Sequence, residues 1–509
     1  MPTSTQLTVP TEPLTRPPTF ILPPPDKSQK FTLDAANKSY KHQYANIYFV
    51  RLRVLRGYIE REAQMRWKEV AGDPTLVPRV LDVEKGQLCF IIGTVYMDMP
   101  LKPNVLEDIA RDHSIPAPPP RKKYFSDADN IMLEDESGRI CLVGDRIRSA
   151  GLVTGVILGA LGIETNSGDF EVVDYCFAGM APQIQSDWDK TENEEKMDVD
   201  ESSDTDEWVA VVSGLEVGEP SPADAQIELL AEFLTGELGG FPDQFTASKI
   251  SRVIIAGNSL ASLVSEINGV NDVVDRRSQR KYGHDTANFS PHPTQNLGEY
   301  LTDIARSVPV HLLPGPSDPT GTILPQQPLP RAMFGGASAY SSFRCETNPT
   351  YIHLGSGPSA SSSDKAGEAS TSGSSEKRRT LLVHSGQPVN DMFKYLATPP
   401  HTRLSIASST LRWRHIAPTA PDTLWCHPYF TSDPFIMTET PHIYIVGNQP
   451  AFGTRLMTEN DQEGGKKCRI ILVPSFRQTG TVVLVNLRTL DVKTVSFALE
   501  GLTVNGSSR

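Results

Sequence analysis

The spacing of apolar residues changes period several times along this chain. Tyr48, Leu52, Leu55 and Ile59 recur at helical intervals, which predicts one long amphipathic helix over residues 44–70 with Arg51, Arg53, Arg56 and Glu60 on its other faces. The sequence AGDP stops it. Beyond that point the apolar residues alternate or run together, as strands require. QLCFIIGTVYM (87–97), IMLEDES (131–137), RICLVGD (139–145), GVILGALGIE (155–164) and FEVVDYCFAG (170–179) read as short strands. The joins DESGR and TNSGD suit tight reversals, because glycine supplies the positive φ that such turns need.

Five short strands in close succession predict a small closed barrel of the OB type, with an open sheet or a sandwich as alternatives. Residues 186–207, SDWDKTENEEKMDVDESSDTDE, have few apolar groups and many like charges, and predict a disordered linker or loop. Ser202 and Ser203 precede acidic residues there, as either a kinase site or an unmodified spacer. Strand and helix then alternate. WVAVVSGLEVG (208–218), RVIIAGN (252–258), VPVHLLPG (308–315), TYIHL (350–354) and RTLLVHSG (379–386) read as strands, and residues 224–240 and 297–308 as helices. That order predicts a layered α/β domain over 208–505. The Ser/Gly-rich stretch 355–378 predicts a disordered surface insert. CRIILVPSF, GTVVLVNLRTL and DVKTVSFAL read as a terminal three-stranded meander.

Composition narrows the function classes. At 509 residues there is room for two to four domains at roughly 150 residues each. Only 38% of residues are hydrophobic and 41 are proline, so loose segments interrupt the folded ones; the Pro-rich residues 1–40 are expected to be disordered. A net charge of −13 argues against a general nucleic-acid coat. In the loop RRSQRKYGH (276–284) four Arg/Lys gather beside Tyr282, as a DNA contact or as a solvated surface loop. The barrel strands offer Phe90, Tyr96, Phe170 and Tyr175 near the acids Glu134, Asp135, Glu136 and Asp174, which favours a protein-docking barrel. Cys89, Cys141, Cys176, Cys345, Cys426 and Cys468 have neither zinc nor disulfide spacing and are expected to be buried free thiols. No signal-peptide design and no 18-residue apolar run is present, and the expectation is a soluble intracellular chain.

Ligands of open α/β sheets sit beyond the carboxyl ends of the strands. The loops there read Ser213-Gly214-Leu215, Gly257-Asn258-Ser259, Gly315-Pro316-Ser317-Asp318, His384-Ser385-Gly386 and Gly447-Asn448-Gln449. This series of glycine turns resembles the calcineurin-like metallophosphoesterases, whose pattern is Asp-x-His, Gly-Asp, Gly-Asn-His-Asp/Glu, a lone His, then Gly-His-x-His. Against that pattern Ser213 and Leu215 replace Asp and His, and Asn258 stands where a bridging carboxylate belongs. Pro316 and Ser317 replace Asn and His, leaving Asp318, while Asn448 and Gln449 carry no imidazole. His384 either marks the lone histidine or is a core histidine. Two dications about 3.5–4 Å apart need carboxylate and imidazole ligands. Amides and hydroxyls cannot supply them, so these positions are expected to be vestigial, with no catalytic residue, metal or cofactor.

The order helix, OB-like barrel, acidic break and degenerate phosphoesterase domain resembles the small (B-type) regulatory subunits of eukaryotic DNA polymerase delta. YANIYFVRLRVLRGYIEREA, GTVYMDMPLKPNVLEDIA, YCFAGMAPQ, VPVHLLPGPSDPTGTILPQQPLPRAMF, WRHIAPTAPDTLWCHPYFTSDPF and PHIYIVGNQPAFGTR carry the likeness, from residue 44 to 498. The resemblance implies an α+β multidomain chain: residues 41–185 a helix plus OB-fold barrel, residues 208–505 a calcineurin-like α/β sandwich lacking its metal ligands. It implies a non-catalytic nuclear subunit in DNA replication and repair. Its partners would be the Cys-rich C-terminal domain of the polymerase catalytic subunit and a third subunit that links to the sliding clamp, with DNA contact weak or indirect. The Pro-rich segments 312–330 and 416–422 either offer rigid contact surfaces or pack on their own domain. Two alternatives stand beside this reading: an active phosphoesterase holding one ion through Asp318, His384 and His427, and the equivalent subunit of polymerase alpha or epsilon.

Overall fold

The computed structural model describes residues 14–25, 29–33, 44–70, 72, 74–103, 121–186, 188, 206–219, 223–262, 292–356, 378–459 and 465–498. Ser202, Ser203, the 276–284 loop and nearly all of the acidic run and the Ser/Gly insert lie outside these residues. Among the described residues no helix is long and apolar enough to cross a membrane.

Strand β1 (Thr19–Ile21) lies in the Pro-rich start, where no structure is expected. It pairs antiparallel with Leu354–Ser356, and Phe31 further on is buried, stacked on Tyr351 with ring centres 5.9 Å apart. Proline lacks an N–H, but its neighbours still pair at a sheet edge. Arg16 fastens the segment by donating to the carbonyls of Ala247 (2.6 Å) and Ile250 (2.9 Å). Helix α1 (Asn46–Trp67) follows, as the apolar spacing predicts. Arg51, expected on an outer face of it, is fully buried.

After the short β2 (Thr75–Leu76), the barrel strands are β3 (Leu88–Asp98), β4 (Asn130–Glu134), β5 (Arg139–Val143), β6 (Ile157–Glu164) and β7 (Phe170–Cys176). β3 pairs with β4, β4 with β5, β5 with β7 in parallel, β7 with β6, and β6 returns to β3. The five strands therefore close, which removes every free edge. A turn of helix, α2 (Asp145–Arg148), joins β5 to β6. Ile91, Val95, Leu133, Leu158 and Phe170 fill the interior, while Leu55, Ile59 and Trp67 of α1 pack on Phe90 and Leu161 outside.

The rest of the chain runs β8 (Trp208–Val212), α3 (Ala223–Thr235), α4 (Phe241–Ser248), β9 (Ile250–Ala256), α5 (His292–Ser307), β10 (Val310–Leu313), a 3-10 helix (Arg331–Ala339), β11 (Phe343–Cys345), β12 (Thr350–Ser356), β13 (Arg378–His384), α6 (Gln387–Tyr395), α7 (Arg403–Trp413), β14 (Ile443–Gln449), β15 (Gly453–Glu459), β16 (Lys466–Pro474), α8 (Phe476–Thr479), β17 (Thr481–Asn486) and β18 (Val492–Ser496). Two six-stranded sheets result, in the orders β1-β12-β13-β14-β16-β15 and β11-β10-β9-β8-β17-β18. Val211, Ile254 and Val483 of one sheet meet Leu381, Val383, Ile445 and Ile471 of the other between them. Central strands buried on both faces explain the unbroken apolar runs. Helices α3 and α5 cover one outer face, while α6, α7 and the barrel share a single core with the other.

Several sequence expectations need correction. The terminal strands are not one meander: β16 belongs to one sheet, β17 and β18 to the other, and α8 makes the crossing. The helix expected to reach residue 240 stops at Thr235, where Gly236 at φ 87° turns the chain so that the Glu232 carbonyl accepts from Gly236, Glu237 and Leu238. The strand expected over 208–218 ends at Val212. Trp188, inside the acidic run, is buried between the sheets. All six cysteines are free; four are buried, but Cys141 and Cys345 are half-exposed.

Candidate functional site

Parallel pairing of β8, β9 and β10, and of β13 with β14, brings the five glycine-containing loops to one end of the sandwich. Asn448 ties four of the strand ends together. Its N–H donates to Ser213 Oγ (2.8 Å), and its Nδ2 donates to the carbonyls of Ser385 (2.9 Å) and Ala256 (3.3 Å). Asn448 and Asn258 both lie in the left-handed region, at φ 52° and 55°, which asparagine tolerates better than most side chains. Asn258 Oδ1 accepts from the N–H of Ser317 (3.2 Å), and Ser317 Oγ donates to the Leu260 carbonyl (2.7 Å). Ser213 Oγ in turn donates towards the carbonyls of Pro474 (3.2 Å) and Val473 (3.3 Å).

Asp318 is buried and accepts from the backbone N–H groups of Gly315 (2.7 Å), Leu260 (2.8 Å) and Ser259 (3.0 Å). Burial pushes its carboxyl up to about 6 despite those donors. The carboxylate thus holds two loops together. Gln449 is buried as well, and its Nε2 donates to the Gly447 carbonyl (2.9 Å).

The remaining two positions point elsewhere. Leu215 belongs to the core beneath α3 and α5. His384 is fully buried: its Nδ1 accepts from the Gly386 N–H and its Nε2 lies 3.0 Å from Tyr444 Oη, so both nitrogens have partners. Burial pushes its pKa down to about 3, and it is a neutral core histidine. Sequence reasoning missed Gln326, Asn348 and Gln387, which with Ser385 form an amide and hydroxyl network: Asn348 Nδ2 lies 2.7 Å from Gln326 Oε1 and 2.6 Å from Ser385 Oγ. No spacing marks these residues, because single amides in separate loops carry no period.

The loops pack closely on one another. Gly257 sits at φ 88°, and a Cβ there would strike Ser385; one on Gly447 would strike the Ala256 carbonyl. Two dications need carboxylate and imidazole ligands, and these loops present amides and hydroxyls committed to backbone groups instead. Among the described residues no group of three His, Cys, Asp or Glu could hold a metal ion. Asp318, His384 and His427 are not brought together; His427 packs on Tyr429, with ring centres 5.0 Å apart. The metal pair of the phosphoesterases does not fit these residues.

The Pro-rich segments pack on their own fold. Leu324, Leu329, Ile416 and Ala420 are buried, and Arg51 donates to the carbonyls of Pro418 (2.7 Å) and Ala420 (2.9 Å). Of the barrel aromatics, Phe90 and Phe170 are buried, while Tyr96 lies beneath Lys102 (4.3 Å) and Tyr175 packs edge-on against Phe177.

Comparison with known proteins gives consistent matches along the chain. Residues 43–175 match the family model described as the DNA polymerase delta subunit OB-fold domain. Residues 209–365 and 375–454 match the family model of the B-type subunit of DNA polymerase alpha/epsilon. The sequence is 36% identical over 458 residues to the DNA polymerase delta small subunit of Arabidopsis thaliana, spanning 90% of this chain and 92% of that protein. It is 33% identical over 499 residues to the DNA polymerase delta small subunit of Saccharomyces cerevisiae, spanning 92% of each. It is 32% identical over 463 residues to DNA polymerase delta subunit 2 of Drosophila melanogaster, spanning 91% of this chain and 94% of that protein.

Proposed function

The chain belongs to the family of DNA polymerase delta small subunits, and from that premise we propose that it is a non-catalytic scaffold of the polymerase. In this reading it holds the Cys-rich C-terminal domain of the catalytic subunit and a third, clamp-linking subunit, in the nucleus, during DNA replication and repair. Its sandwich is a calcineurin-like phosphoesterase whose metal ligands have been replaced. Residues 19–21 and Phe31 pack on the 208–505 domain, and residues 186–207 connect it to the 41–185 domain.

The observation that carries the reading is the state of the strand-end loops. Asn448 through its N–H and Nδ2, with Ser213, Asn258 and Asp318, satisfies groups of neighbouring loops, so these atoms hold the fold; Asn448 Oδ1 is buried without a partner among the described residues. Such a cleft offers no nucleophile-generating centre. What remains for function is the outside of a rigid body made of barrel and sandwich with one common core. Tagged chain purified from its own nuclei tests this: a stoichiometric large polymerase subunit supports it, and recovery of the chain alone under mild salt refutes it. Full-length chain incubated with manganese or zinc tests the cleft separately, since an active two-metal site binds about two equivalents and the replaced site binds none.

A further inference from the structure

Among the described residues, Arg403 of the sandwich has no acidic partner. Arg403 is the first residue of α7, half-buried, beside the end of β14. Its Nη1 donates to two neutral amides, Asn390 Oδ1 and Gln449 Oε1 (3.5 Å), and its guanidinium stands 4.3 Å from the centre of the Phe393 ring. Its Nε and Nη2 donate to nothing among the described residues. Lys123 approaches the same ring at 3.4 Å, its Nζ donating to the carbonyls of Phe393 and Leu396 and to Thr398 Oγ1. His401 is the third basic group, two residues before Arg403.

The electrostatics of this corner are one-sided. Burial lowers the pKa of Arg403; burial and then the Arg403 charge lower that of Lys123; burial and then the Lys123 charge lower that of His401. Among the described residues no carboxylate offsets any of the three. Arg403 also occupies the first turn of its helix, where the backbone dipole disfavours a cation and no acidic residue stands. The group missing from the corner is an anion.

Its surroundings indicate which kind. Arg121 and Lys122 lead into Lys123 and are exposed. Phe125, 41% exposed, donates its N–H to the Lys394 carbonyl at the end of α6, and Phe452, 38% exposed, lies three residues past Gln449. Cations that track phosphates, interleaved with open aromatic rings, are how proteins hold a single strand without reading its sequence. On a chain of net charge −13 such a corner is a local exception.

We propose that Arg403, with Arg121 and Lys122, binds the phosphodiester backbone of a single nucleic-acid strand, and that Phe125 and Phe452 stack on its bases. This goes beyond the scaffold reading and does not depend on it. The test is fluorescence anisotropy of a labelled oligo(dT) titrated with full-length chain at about 50 and 200 mM salt. Expected is salt-dependent binding that R121Q/K122Q/R403Q weakens roughly tenfold, flattening the log–log salt slope by about 2, at about 0.7 per lost contact on a single strand. R121Q/K122Q alone, at exposed positions, must weaken binding in the same direction with the thermal midpoint unchanged. F125A/F452A must weaken it several-fold and leave the slope alone, since stacking releases no counterions. No binding at the lower salt overturns the proposal, as does equal binding by the parent and the triple variant. Full displacement by inorganic phosphate at equal phosphate concentration also overturns it, identifying a small-anion site. Because no polymerase partner enters the titration, its failure leaves the scaffold reading untouched, and the converse holds.

Discussion

Arg51 Nε donates to Asp433 Oδ2 over 2.8 Å with both side chains wholly buried, so α1 and the sandwich share one charge pair. The same guanidinium donates to the carbonyls of Gly155 in the barrel and of Pro418 and Ala420 in the sandwich, joining three parts of the chain. His415 Nε2 donates to the same carboxylate oxygen at 2.9 Å, and its Nδ1 accepts from the Ala417 N–H. Burial alone would raise the Asp433 carboxyl, but the facing His415 and Arg51 groups hold it below the usual carboxylate range. Arg51 is the hub at which helix, barrel and sandwich meet.

Removing the cation therefore leaves a buried carboxylate with only His415 and the Phe435 N–H to satisfy it. Arg51→Ala is expected to destabilise the chain by about 3–5 kcal/mol, and Arg51→Met with Asp433→Leu by clearly less, because the pair leaves together. Denaturant unfolding of the two variants checks this. Equal losses would show that the charge pair is not the cause.

This hub was not legible in the sequence, while α1 and the barrel were. A period repeated within twenty residues can be read along the chain, but Arg51 looks like any surface arginine because its partner lies 382 residues away. The strand-end glycines were legible for a related reason: each occupies a local turn whose backbone demands it. The assignment of β16 and β17 to different sheets was hidden, since both are continuous apolar runs of similar composition. Helix α7 was hidden because its buried face carries Ser408 and Thr410 among the apolar groups.

The Pro-rich start is predicted to be structural. Phe31→Ala should cost about 3 kcal/mol, within the range for a buried phenylalanine, and Arg16→Ala should lower the thermal midpoint by freeing the carbonyls of Leu234 in α3, Ala247 in α4 and Ile250 in β9. Thermal unfolding of each variant decides the matter. Unchanged midpoints would return the segment to the role of a loose tether.

The strand-end loops should respond as packing and not as chemistry. Gly447→Ala, which drives a Cβ into the Ala256 carbonyl, is expected to cost about 1–3 kcal/mol as overpacking. Asp318→Asn, which replaces one acceptor oxygen by a donor facing backbone N–H groups, should cost a similar amount. Manganese should restore neither variant in a thermal shift measurement, and restoration by metal would contradict the reading of the cleft.

Stability should fall on acidification below neutral pH. His353 and His415 are pushed down to about 4 and His384 to about 3, chiefly by burial, so the folded chain binds fewer protons than the unfolded one below about 6.5. Each contributes fully above that value and loses its contribution as pH falls towards its folded pKa. Asp318, raised to about 6, Glu207, raised to about 7, and Asp391 and Glu439, also raised by burial, act in the opposite sense, but His311 and His401 are lowered as well, and five histidines outweigh four carboxyls. The thermal midpoint should decline from pH 7 to pH 4.5. A rise over that interval would mean that the raised carboxyls dominate.

The scaffold claim itself is tested most directly by weighing the intact assembly. Native mass spectrometry of tagged chain, purified from its own nuclei in mild salt, should show one copy bound to one large polymerase subunit and one further subunit. The Arg51→Ala chain should lose both partners together as the shared core loosens. A parent chain recovered alone, with its fold intact, would contradict the account.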